Sequence, residues 1–356
     1  MDDVPRLEID RGVSIVRFYT PEHNNSFLKQ LISYGFFSVG VLLHAYKNRK
    51  KYDIVFATSS RLGTGILGFL VSKVLKKPLY LDIRDVFSDN LQSFEFLKGT
   101  IGEIFIKLVG KIESLIISHA KWINFVSPGF FTYPHIEKLN KNIQLFTNGI
   151  DDIFLDNRIA MSDSKATKVF QTPIKIVYAG NIGFGQGLEL IILPLADYYK
   201  GEILFQLIGD GNSVGLIQKG ISKNNLKNIQ LIPPVNRDIL LDYYNDADMF
   251  LLHLNDIPSL IKVLPSKIFD YGSFDKPMLA GVQGVAYSFI KEHLPSAHLF
   301  NPGDYKAVIT ILDKILDGGL PLIENSHFIG RFSRKNIMNS MLDSMISNHR
   351  YDAIKF

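Results

Sequence analysis

Two stretches of the chain carry residues able to grip an anion and a sugar together. In residues 265–281, Pro265 and Ser266 read as a helix start, with Ser266 as N-cap, and Lys267 and Asp270 follow in the first turn. A capped helix start presents free N–H groups and positive dipole character, so with a lysine beside it the stretch suits a phosphate. An acid three positions after that lysine suits hydroxyls, and phosphate plus hydroxyls suggests a nucleotide ligand. The alternative is an ordinary capped helix in an α/β domain. The second stretch is the loop at 180–187, where Gly180, Gly183, Gly185 and Gly187 let backbone amides come close to an anion. Its glycine spacing departs from the dinucleotide fingerprint, and no P-loop lysine and serine follow, which excludes a P-loop ATPase. A tight strand-to-helix turn is the other reading.

A third group is Arg84, Asp85 and Asp89, just after an apolar run ending in Asp82-Ile83. It reads as an acid/base and charge-binding group or as an ion pair capping a strand. Glu113, on an apolar helical pattern, either reaches these loop ends or is structural. The 9 histidines show no metal spacing and are read as structural or surface groups. Cysteine is absent, which removes disulfides and thiolate chemistry.

Short apolar runs must position these residues. Strands are expected at 13–19, 53–57, 78–83, 122–126, 144–146, 174–179, 205–208, 229–232, 249–253, 278–280 and 299–300. Helical patterns lie between them, and a polar loop at 58–65 leads into a helix at 66–75. Alternating strand and helix predicts a doubly wound α/β protein whose ligands sit at the carboxyl ends of parallel strands. A length of 356 residues favours two domains, and the polar segment 156–171 reads as the linker.

A net charge of +4 suits an anionic ligand or a membrane surface and is too small to argue for nucleic acid. The acidic start lacks the basic region of a signal peptide. Residues 27–46 are apolar but interrupted by Lys29, Gln30, Gly35, Gly40 and His44, so they read as a core or interfacial helix rather than a span. Lys47, Arg49, Lys50 and Lys51 then offer either a contact for anionic lipid or a solvated helix end.

Taken together, the motifs resemble a known family. They are Asp82-Ile-Arg-Asp85 with Asp89, Val126-Ser-Pro-Gly129, Asn148-Gly-Ile-Asp151, 178–189, Ile208-Gly-Asp-Gly211, Ala247-Asp248 and 264–271. The set is similar to bacterial retaining glycosyltransferases of family four, and within them to the O-antigen and capsule branch with its N-acetylfucosamine-type transferases. The resemblance implies the GT-B fold, two Rossmann-like domains facing a cleft. Residues 1–156 would form the acceptor-side domain, with helix 334–356 crossing back to it. Residues 157–172 would be the linker and 173–333 the nucleotide-sugar-binding domain. It also implies that Gly183, Gly185 and Gly187 lie against a donor diphosphate with Asn181 and Gln186 nearby, and that Gly209 belongs to the same site. Ser266 and Lys267 would take phosphate charge, Asp270 the ribose hydroxyls, and Pro234 and Val235 the base. Asp85, with Arg84 and Asp89, would serve the reacting centre.

The implied activity is transfer from a nucleotide sugar, expected to be UDP-linked, to a polyprenyl-diphosphate-linked oligosaccharide. It would need no metal or other cofactor and would run on the inner face of the bacterial inner membrane, the protein being peripheral through 27–51. One departure is that relatives begin with a strand, a glycine loop and a helix before the equivalent of Val13, a unit expected to be missing from this chain. The alternatives are therefore a non-catalytic partner of another transferase, or a nucleotide-sugar epimerase on the same fold.

Overall fold

The computed structural model describes residues 5–22, 26–59, 61–91, 97–132, 142–161, 172–318 and 324–346. The chain divides into two compact units, one of Met1–Asn124 with His135–Gln144, the other of Phe125–Pro134 with Leu145–Phe356.

The first unit starts with a hairpin of β1 (Leu7–Asp10) and β2 (Val13–Val16), paired antiparallel. Its two turn residues, Arg11 and Gly12, have φ of 48° and 85°, the positive values that a tight type I′ turn needs. The expected strand at 13–19 is thus shorter and stands outside the wound sheet, because the Arg11-Gly12 turn folds it back on β1. Helix α1 (Phe27–Lys47) comes next. It buries Ser33 and Ala45 but leaves Leu28, Leu31, Ile32, Phe36, Val39, Leu43 and Tyr46 exposed.

Strand β3 (Val55–Ser59), α2 (Leu62–Leu75), β4 (Leu79–Ile83), α3 (Phe87–Leu91), α4 (Thr100–His119), β5 (Trp122–Phe125) and β6 (Asn142–Leu145) follow. They form a sheet of order β3-β4-β5-β6, in which β3 and β4 pair in parallel. Helix α2 starts four residues before the expected 66. Its first turn absorbs much of the polar loop, because Gly63 lets it pack against the Tyr34 ring of α1.

In the second unit, α5 (Asp152–Met161) occupies the first part of the segment read as linker, and residues 162–171 lie outside those described. Strands and helices then alternate: β7 (Ile174–Ala179), α6 (Glu189–Tyr198), β8 (Ile203–Ile208), α7 (Val214–Asn224), β9 (Ile229–Ile232), α8 (Arg237–Asp246), β10 (Met249–His253), α9 (Lys267–Gly272), β11 (Met278–Gly281), α10 (Gly284–His293), β12 (Ala297–Phe300) and α11 (Tyr305–Gly318). The sheet has six strands in the order β12-β11-β10-β7-β8-β9, each pair parallel. Its strands are near-continuous apolar runs buried on both faces, as helices on either side require. Helices α12 (Ser326–Phe332) and α13 (Arg334–Ile346) close the unit.

The strand order reverses at β7 and β10, so the loops after β7, β8, β9 and β10 gather at one edge of the sheet, where doubly wound folds bind their ligands. Two tyrosines set α9 against that edge. Tyr271 stacks on Phe250 with centroids 4.6 Å apart, and its hydroxyl accepts a hydrogen bond from the Ala179 N–H at 3.0 Å. Tyr244 meets Tyr271 edge-on at 5.6 Å.

Candidate functional site

The loop after β7 is built to sit close to its neighbours. Gly180 has φ 135° and Gly209 φ 143°, conformations side chains rarely adopt, and any side chain at Gly209 would run into the Gly180 carbonyl. Gly180 N–H donates to Ile208 O at 2.8 Å and Gly209 N–H to Ile232 O at 2.9 Å. The loops following β7, β8 and β9 are thereby locked side by side.

Within 180–187 the amides of Asn181 and Gln186 bond to each other. Asn181 Nδ2 donates to Gln186 Oε1 at 2.8 Å, which also accepts from Gly183 N–H at 3.2 Å. Asn212, from the loop after β8, accepts from Phe184 N–H at 2.9 Å. Asn255, after β10, donates from its backbone to Gly185 O at 2.8 Å and from its side chain to Phe184 O at 3.1 Å. Gly187, with φ 54°, lies against the same asparagine. The loop is a rigid, uncharged cradle.

Lys267 brings the charge. Its ammonium lies against the backbone of Gly180 and over the Tyr178 ring, 5.1 Å from the centroid. Burial pulls its pKa below the usual lysine range, and the carboxylate of Asp270 works against that shift. Asp270 follows at i+3 on α9. Burial pushes its pKa up to about 6, against the opposing charges of Arg237, Arg334 and Lys267. Lys267 therefore sits against Gly180 at the start of the glycine loop, with Asp270 three residues on along α9.

Ser266 departs from expectation. Its backbone is already helical, with φ −61° and ψ −28°, and its hydroxyl makes no capping bond. The turn begins one residue earlier, because Ile268 N–H donates to Pro265 O and Phe269 N–H to Ser266 O. Pro234 is exposed and Val235 half-buried in the loop after β9. The next residue, Asn236, accepts from Ile239 N–H at 2.9 Å and caps α8.

Several neighbours of the site have no role assigned to them by the sequence reading. Asp151, buried, forms ion pairs with Arg334, whose Nε lies 2.6 Å from its Oδ1, and with Arg237. These three residues line a cavity of about 510 Å³ with Lys335. Asn212, Asn255, Tyr271 and His253 were likewise passed over. All but Tyr271 follow or end parallel strands, and that position was the available clue.

The group at Arg84, Asp85 and Asp89 lies in the first unit. Arg84 Nε donates to Asp82 Oδ2 at 2.9 Å, and Asp82, almost fully buried, also accepts from Asn124 Nδ2 at 2.7 Å. The ion pair capping the strand is therefore present. Asp85 is half-buried in the turn after β4, and Asp89 is the third residue of α3. Glu113 reaches these loop ends. Its carboxylate accepts from Phe87 N–H at 2.9 Å and Ser88 N–H at 3.2 Å, capping α3. Burial raises its pKa, hydrogen bonds from Ser88 and Phe87 lower it, and the nearby charge of Asp89 raises it further.

This architecture is that of the GT-B glycosyltransferases. The chain superposes on HepE of Anabaena, solved with UDP-glucose, over 91% of this chain and 84% of HepE, with a TM-score of 0.64 and 15% identity. It also superposes on sucrose-phosphate synthase of Thermosynechococcus elongatus, over 98% of this chain and 87% of the synthase, with a TM-score of 0.69 and 14% identity. Among curated sequences it resembles WcaI of Escherichia coli (strain K12), provisionally named a colanic acid biosynthesis glycosyl transferase, at 30% identity over 115 residues. That stretch spans 32% of this chain and 26% of WcaI. No family model matches the chain.

Proposed function

We propose that the protein is a retaining glycosyltransferase that moves a sugar from a UDP-sugar to a lipid-linked oligosaccharide in bacterial surface polysaccharide synthesis. The observation that carries this reading is the placement of Lys267 and Asp270 beside the glycine loop of the second unit. A diphosphate seated on that loop meets the Lys267 ammonium, and Asp270 accepts from ribose hydroxyls. Gly183, Gly185 and Gly187 give the phosphates room, while Pro234 and Val235 flank the base. HepE's complex with UDP-glucose supports UDP as the nucleotide, and the WcaI likeness supports a polysaccharide product.

Bond cleavage leaves negative charge on the diphosphate. Here a fixed ammonium stabilises that charge without a metal. The leaving phosphate then helps to take the proton of the attacking hydroxyl on the same face of the sugar. Asp85 orients the sugar or its acceptor, and the pairing with Asp82 fixes Arg84 beside it.

A lipid-linked acceptor calls for a membrane surface. No helix among the described residues is long and apolar enough to cross a membrane. Helix α1 instead exposes an apolar stripe that ends in Lys47, Arg49, Lys50 and Lys51, a pattern suited to lying on anionic lipid. Helix α4 exposes Ile101, Ile104, Phe105 and Leu108 beside Lys107 and Lys111.

The test is transfer of labelled sugar from UDP-sugars to a polyprenyl-diphosphate acceptor. Transfer with retention of anomeric configuration is expected. A chain that binds UDP yet turns over no nucleotide sugar would replace this reading with that of a non-catalytic partner.

A further inference from the structure

His253, the last residue of β10, is fully buried, and no motif singled it out. Its Nδ1 lies 2.6 Å from the carbonyl oxygen of Gln186, and its Nε2 lies 2.9 Å from the N–H of Gly303. The ring stacks on Phe300, with centroids 6.0 Å apart. One partner can only accept and the other can only donate. The ring satisfies both only when neutral, with hydrogen on Nδ1 and a free lone pair on Nε2. An imidazolium would face the Gly303 N–H with a second N–H. Burial favours the same state by holding the pKa of the ring below the usual histidine value.

We propose that His253 is a positioning residue for the nucleotide site: as the neutral Nδ1–H tautomer it holds the Gln186 carbonyl down and ties the glycine loop to the loop after β12. The proposal rests on the reading of 183–187 as the diphosphate cradle. An unheld carbonyl would turn a negative dipole toward the phosphates. With it drawn toward His253, that dipole is kept away from the anion. Asn255 completes the attachment two residues later, through its bonds to Gly185 O and Phe184 O.

The charged groups near the ring do not compete for it. Asp304, from the loop after β12, accepts from Ala307 N–H at 3.0 Å, and Asp256, on the histidine's own segment, is exposed. Of the other packed segments, β11 and β12 bring Gly281 and Phe300, and the glycine loop brings the Gln186 backbone.

The experiment combines nitrogen-15 NMR of the side chain at pH 7 with UDP titration calorimetry on full-length variants. The His253 signal, identified by its loss in His253→Asn, is expected to show a protonated Nδ1 and an unprotonated Nε2. His253→Phe keeps ring volume but neither hydrogen bond, and UDP affinity should fall about tenfold or more. His253→Asn, which still donates to Gln186 O, should lose less. Phe300→Leu loosens the same packing with both bonds intact and should bind UDP like the wild type. An Nε2–H tautomer, an imidazolium at pH 7, or UDP binding by His253→Phe within about twofold of wild type overturns the proposal. Equal losses in His253→Phe and Phe300→Leu also overturn it, since packing alone would then explain them. Wild-type protein that does not bind UDP at all overturns the donor-site reading and this inference with it.

Discussion

The Lys267 ammonium and the Gly180 backbone occupy adjoining space: a first side-chain carbon at Gly180 would lie 2.5 Å from Nζ. The absence of a side chain at one position therefore sets where the charge sits at the other. Lys267 brings a positive charge to the glycine loop, where Asn181 and Gln186 are neutral and bond to each other.

Lys267→Ala should consequently weaken UDP binding by about ten- to a hundredfold, the worth of a partly buried charge-assisted contact. Gln186→Ala removes only a neutral brace and should cost about threefold or less. Titration calorimetry measures both, and equal or reversed losses would remove Lys267 from the phosphate site.

Gly180→Ala should act through the same lysine. Its φ of 135° is strained for alanine, so the melting temperature should fall, reflecting about 1–3 kcal/mol. UDP affinity should fall too, but the two substitutions should not add: in a Lys267→Ala background Gly180→Ala should cost little further affinity. Additive losses in the double-mutant cycle would show that Gly180 serves the nucleotide by another route.

Asp270 should make donor binding depend on pH. Its pKa is raised to about 6, so the carboxylate proposed to accept ribose hydroxyls dominates above that value and the acid below it. Affinity for UDP-glucose, whose diphosphate does not titrate in this range, should therefore decline as pH falls from 7 to 5. Asp270→Asn should bind more weakly at pH 7 and lose most of the dependence. The stability effect has its own sign. An acid with a raised folded-state pKa costs stability once both states are ionised, and that cost disappears as pH falls from about 6 toward the unfolded value near 3.8.

Glu113→Ala should destabilise the protein by about 1–2 kcal/mol, because it strips the cap from Phe87 and Ser88 N–H. Glu113→Gln keeps an acceptor and sheds a charge disfavoured by burial, so it should melt near wild type. Turnover should fall in the alanine variant, whose α3 is left uncapped beside Asp85 and Asp89. Unaltered turnover there would separate this cap from the reacting centre.

Charge reversal after α1 should release the protein from anionic vesicles. Lys50→Glu with Lys51→Glu should reduce cosedimentation by about tenfold or more, at about 1 kcal/mol for each lost cation. Phe36→Asp, on the apolar stripe, should do likewise while UDP binding is retained. Vesicle binding unchanged in both would leave α1 without a membrane role.

Much of the second unit was legible in the sequence because its parallel strands are unbroken apolar runs, each followed by a polar or glycine-bearing turn. That pattern put the 180–187 loop after a parallel strand, while the resemblance to glycosyltransferases was what joined Lys267 and Asp270 to it. The first unit was harder. Val13–Val16 reads as a wound strand until the Arg11-Gly12 turn pairs it with Leu7–Asp10, and that pairing depends on two φ values rather than on hydrophobicity. Ser266 looked like a cap because composition cannot show that its backbone is already helical. Asp151, Arg334 and Arg237 meet across long sequence separations, and His253 resembled any other core residue. No local periodicity encodes such tertiary contacts.

The start of the second unit's long segment is stitched to the junction of α12 and α13. Ile150 N–H donates to Phe332 O at 2.8 Å, Arg334 N–H to Ile150 O at 3.0 Å, and Arg334 Nη2 to Gly149 O at 3.1 Å. Residues 149–150 and 332–334 are therefore held to each other, like the two legs of a clasp. The clasp fixes where α13 begins, so a disulfide engineered across it should leave the nucleotide loops unmoved.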